Sequence, residues 1–127
     1  MAAASSVLIN PACDISSKTR FRRFIAATGS RQAVLEWAKR HGWTSTSQYN
    51  CLVSLWTKES GWNHRAANPY SSAYGIPQAL PGSKMSTFGS DWRTNPKTQI
   101  KWGLSYIKGR YGTPCGAWSA FLRKGWY

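Results

Sequence analysis

The chain is short of acid. Its 127 residues include four aspartates and glutamates in total, against seventeen lysines and arginines. A two-carboxylate mechanism therefore has very few residues to draw on. Cysteine is scarce as well. There are three, none in a Cys-x-x-Cys spacing, which argues against a zinc or iron–sulfur site, so no metal or cofactor is expected. No run of eighteen apolar residues occurs, so nothing reads as a membrane span. The first thirty residues offer only "SSVLI" and "FIAA", both too short for the apolar core of a secretory signal. Motifs of other reaction classes are missing too: no phosphate-binding glycine loop, no His-Glu-x-x-His and no serine elbow.

What is abundant points the other way. A net charge of +13 is no requirement of folding and implies an anionic partner or surface. Nucleic acid, acidic lipid and the acidic bacterial wall all qualify. Eight tryptophans and six tyrosines exceed what one core of this size needs. A surplus of rings in a small protein often lines a ligand groove, although several of these must fill the interior.

The length suits one domain. Residues 1–29 read as a loosely ordered basic leader containing "KTRFRRF". Residues 30–127 read as the folded unit, mostly α. Ser30 is a candidate cap for a helix with Val34, Leu35 and Ala38 on its apolar stripe, Glu36 pairing with Arg40, and Gly42 as the stop. "STSQYNCLVSLWTKES" reads as the central helix, ended by Gly61, with Leu52, Leu55, Trp56 and Glu59 on one stripe. Residues 62–91 read as loop. Asn95 and Pro96 then open a helix with Ile100, Leu104 and Ile107 buried and Gly112 after its end. Lys97, Lys101 and Lys108 share another face, and a short last helix follows. Cys51 and Cys115 lie in segments that read as folded. If bridged they close a long loop, worth roughly 4 kcal/mol; as separate thiols they do nothing of the kind.

Acid–base chemistry narrows to Glu59 and Asp91. Asp14 falls in the leader and Glu36 on a paired helix surface. Glu59 stands between Trp56 and Trp62 on an apolar stripe, where desolvation holds a carboxyl proton more tightly than water does. That is the setting of a general acid in glycosidic cleavage. A glutamate among so many cations can equally be an ion-pair partner. Asp91 is the candidate second acid, or a turn cap beside Arg93. A mechanism needing one carboxylate fits this chain better than one needing two.

The segments "LWTKESGWN", "AANP", "AYGIPQALPGSKM" and "DWRTNPKTQIKWGLSYIKGRYGTPCGAW" resemble soluble-lytic-transglycosylase-like domains of the lysozyme superfamily. The resemblance is to the actinobacterial and phage versions, kin to resuscitation-promoting factors and goose-type lysozymes, and spans about residues 30–127. It implies a small lysozyme-like fold. It also implies that Glu59 cleaves the bond between N-acetylmuramic acid and N-acetylglucosamine, acting first as acid and then as base. Ser60 then orients the site, while Tyr74, Gly75, Ile76 and Gln78 match the segment that binds the acetamido group. Trp62 and Trp92 become candidate sugar-stacking rings, and Cys51 pairs with Cys115. The chain departs from the family at Ser72, where relatives carry glycine, and at Phe121, Leu122 and Arg123 in the tail.

The first expectation is therefore a monomeric, wall-associated or extracellular enzyme that cleaves peptidoglycan, with phage delivery as one route to the wall. An alternative is a non-catalytic module that docks on the glycan. A nucleic-acid binder has no reader motif to support it.

Overall fold

The computed structural model describes residues 31–127; the leader and the expected cap at Ser30 lie outside the described residues. Among the described residues four α-helices carry the fold: α1 (Arg31–Arg40), α2 (Thr46–Ser60), α3 (Pro96–Tyr111) and α4 (Pro114–Lys124). A 3-10 helix, Gly82–Phe88, lies between α2 and α3. Among the described residues the only extended pairing is two isolated antiparallel bridges, Ala67 with Tyr74 and Tyr74 with Ala79. The class is mostly α, as the periodicity predicts. None of these helices is long and apolar enough to cross a membrane.

α2 is the axis of the domain. Ser45 caps it by accepting from the Gln48 amide. Leu52, Leu55, Trp56 and Glu59 form one fully buried face. Each leucine removed from water in this way contributes roughly 1.5–3 kcal/mol. Gly61 ends the helix at φ 61°, and its amide returns to Thr57. α3 starts where Asn95 accepts from Lys97, with Pro96 in its first turn, and it buries Ile100, Leu104 and Ile107 in the core cluster that also holds Leu52, Leu55 and Trp56. α4 is capped by Thr113, and its Cys115 is bonded to Cys51 of α2. This bridge fastens the last helix to the central one.

Two details differ from the sequence reading. Glu36 forms its ion pair with Lys39, at 3.3 Å, one residue nearer than Arg40. Residues 82–88, expected as loop, form the 3-10 helix. Pro81 enters it in extended geometry, the Lys84 amide closes its first turn onto Pro81, and Met85 is buried with Ala79 and Trp102. Dense proline and glycine conceal this short 3-10 helix, because one buried methionine makes no periodic pattern.

Candidate active site

Glu59 occupies the last turn of α2 and is 0% exposed. The other two acids among the described residues, Glu36 and Asp91, are exposed. The interior holds one carboxyl group there, and it sits where the central helix meets the 73–79 loop. Ser60 makes that junction. Its hydroxyl donates to the Ile76 carbonyl at 2.7 Å, tying the loop to the residue beside Glu59.

A second clamp comes from the far end of the chain. Trp56 Nε1 donates to the Tyr127 hydroxyl at 2.8 Å, and that hydroxyl donates to the Pro77 carbonyl at 3.0 Å. Burial, and then the charge of Glu59, push the Tyr127 phenol well above its ordinary range; the bond from Trp56 opposes them. Tyr127 therefore stays neutral and keeps its proton for Pro77. Gly103 of α3 lets these groups meet, because a Cβ there would lie 2.5 Å from Trp56 and 3.2 Å from Pro77.

Gln99 braces the loop from α3. Its Oε1 accepts from the Ile76 amide at 2.9 Å, and its Nε2 donates to the carbonyls of His64 at 2.9 Å and Trp92 at 2.8 Å. Gln78 is fully buried and donates to the carbonyls of Ala66 and Gly75, both at 3.0 Å. Gly75 stands at φ 81°, and a Cβ there would meet Gln99 Oε1 at 2.6 Å. Gly75→Ala is expected to cost about 3 kcal/mol, from the left-handed backbone and the crowded glutamine together. Gly109→Ala on the open face of α3 has no neighbour within 4 Å and is the control, expected to be neutral or stabilising. Urea midpoints of the two variants test the difference.

Beyond this buried junction lies an open groove of about 340 Å³. Tyr74 and Trp92 line it with their rings edge to face at 5.7 Å. Ser72, one of its lining residues, is not among the residues at positive φ, so the serine expected to strain the loop carries no backbone strain there. Asp91 secures the turn that delivers Trp92. One of its carboxylate oxygens accepts from Asn95 at 2.8 Å and the other from the Thr98 hydroxyl at 2.7 Å. These bonds, Asn95 first, hold the Asp91 carboxyl below its ordinary value. A depressed native value means the contribution is complete above the unfolded value of about 4 and fades as the pH falls through the native one. The melting-temperature gap between wild type and Asp91→Ala is accordingly expected to be constant near neutrality and to shrink below about pH 4.

The predicted residues thus fall into four places. Glu59, Ser60, Gly75, Ile76 and Gln78 meet at the buried junction, and Tyr74 and Trp92 line the groove. Trp62 is neither. At φ 60° and 2% exposed, it packs edge-on to Trp56 at 5.4 Å and donates to Thr57, so it offers no open face to a sugar. Asp91 sits on an exposed turn with both oxygens engaged. Sequence reasoning missed Tyr127, Gln99 and Gly103. The terminal "GWY" and the polar Gln99 inside an apolar helix stripe are the signals that were there to read.

A central helix that delivers a single buried glutamate to a loop-bounded junction defines a lysozyme-like domain. Residues 36–123 match the transglycosylase SLT domain, and the chain belongs to that family, whose members are in general peptidoglycan lytic transglycosylases. No curated protein and no solved structure matches the chain.

Proposed function

We propose that this chain cleaves the β-1,4 bond between N-acetylmuramic acid and N-acetylglucosamine, with Glu59 serving as both acid and base. The observation that carries this reading is the placement of Glu59, the buried acid among the described residues, where α2 meets the loop. Burial disfavours a charged carboxylate and favours the protonated donor that the first step needs. Glu59 gives its proton to the bridging oxygen, and the muramyl C1–oxygen bond breaks. The resulting carboxylate takes the proton of the muramyl 6-hydroxyl as that oxygen closes onto C1. The product is a 1,6-anhydro sugar, no water is consumed, and Glu59 regains its proton. Ser60, Gln99 and Tyr127 act as positioning residues by fixing Ile76 and Pro77 beside the acid.

The same fact supports a second reading. A carboxyl sealed from solvent also suits a wall-binding module that docks without cutting. In both cases the +13 charge draws the chain to the carboxylates and phosphates of the wall, at an extracellular or wall-associated location. Purified walls incubated with the protein separate the two. An enzyme clears the suspension and releases soluble muropeptides, whereas a binding module sediments with the walls and releases nothing.

A further inference from the structure

The groove beside Trp92 carries a cation that no acid among the described residues pairs with. Arg93 lines it, with its guanidinium 4.6 Å above the Trp92 ring. Stacking on indole fixes the plane of the guanidinium and leaves its in-plane N–H donors available. Among the described residues Arg93 has no acidic partner: the ion pair there joins Lys39 and Glu36, and Asp91 spends its oxygens on Asn95 and Thr98. The surrounding rim is rigid. Gln99 holds the Trp92 carbonyl, and the Tyr74 hydroxyl donates to the Arg93 carbonyl at 2.8 Å. Gly82 keeps the floor open, since a Cβ there would lie 2.7 Å from Tyr74 and 3.0 Å from Trp92. Ser72 and Ser83 add exposed hydroxyls.

An aromatic wall, hydroxyls and one unspent guanidinium suit an amide- or hydroxyl-rich ligand that carries a single carboxylate. The glycan itself does not supply that charge. N-acetylglucosamine is neutral, and the muramyl carboxyl is consumed as an amide wherever a peptide is attached. The attached peptide does supply it. A phosphodiester polymer, charged at every unit, calls for a row of cations, and the lining of this groove has one. We propose that this groove recognises a free carboxylate on the peptide borne by the wall glycan, with Arg93 as its specificity-determining residue. Strands free at that carboxylate are then preferred over strands amidated there. This inference rests on the peptidoglycan reading given under Proposed function.

Calorimetric titration of the full chain carrying Glu59→Gln tests it without consuming the ligand. The probes are N-acetylmuramyl-L-alanine, which carries one free carboxylate, and its C-terminal carboxamide, which carries none. The free acid is expected to bind about tenfold more tightly, as one charge-assisted bidentate contact allows. Adding Arg93→Gln is expected to reduce that preference below about twofold, and Arg93→Lys to retain an intermediate part of it. Circular dichroism confirms that each variant is folded. Equal affinity for the two probes, no binding of either, or a preference that survives Arg93→Gln overturns the inference. Tighter Arg93-dependent binding of poly(glycerol phosphate) overturns it as well. Because the readout is binding in the Glu59→Gln background, a wild-type chain that cuts no wall refutes the proposed enzyme separately, and the titration still decides this point.

Discussion

Glu59→Gln is expected to reduce the release of soluble muropeptides by about a thousandfold or more while the protein stays folded. A positioned acid or base contributes about 10²–10⁴-fold to a proton-transfer step. In the proposed mechanism one group serves both steps, and neither Glu36 nor Asp91 shares its buried position. A thousandfold corresponds to about 4 kcal/mol of transition-state stabilisation. Glutamine matches glutamate in shape, so the packing of Leu55 and Trp56 on the same helix face is kept. The melting temperature should therefore stay within a few degrees of wild type. A variant that loses activity only because it unfolds does not bear on the mechanism, so both quantities are measured on one preparation.

Replacing Cys51 and Cys115 together by serine is expected to give the largest loss of stability. The bridge joins residues 64 apart in sequence. Closing a loop of that length restricts the unfolded chain by about 4 kcal/mol in the chain-entropy model. Domains of this size have about 5–15 kcal/mol in all, and each kilocalorie shifts the melting temperature by several degrees. A fall on the order of 20 °C follows. There is a functional side to the same bond. α4 is held to α2 by it, and the chain beyond α4 carries Tyr127 to Trp56 and Pro77. The double variant should therefore lose muropeptide release at temperatures where it is still largely folded. An unchanged melting temperature would mean that packing of α4 against α2 alone fixes the chain end.

The local grammar of this chain was legible. Leu52, Leu55, Trp56 and Glu59 recur at helical spacing and share a buried face, because a helix repeats its surface every three to four residues. Gly61, Asn95, Pro96 and Gly112 mark helix ends for backbone reasons that hold in any context. What escaped depends on distance along the chain. Tyr127 meets Trp56 across 71 residues, and Gln99 meets His64 across 35. No periodicity encodes such meetings; they exist only once α3 and α4 have packed. Trp62 failed for a different reason. Its place next to Glu59 suggests a stacking ring, but the left-handed turn through Gly61 and Trp62 swings the indole back into the core. Ser72 shows the converse, since a serine strains the backbone only where positive φ is demanded, and Ser72 is not at such a position.

Everything proposed for the buried junction reduces to a single proton that leaves the tip of α2 for a sugar oxygen and returns from the same sugar. Mass spectrometry of fragments released from purified walls, by wild type and Glu59→Gln in parallel, observes that exchange most directly. The account predicts muropeptides ending in 1,6-anhydro-N-acetylmuramic acid from wild type and none from the variant. Anhydro fragments in equal yield from both proteins would contradict it.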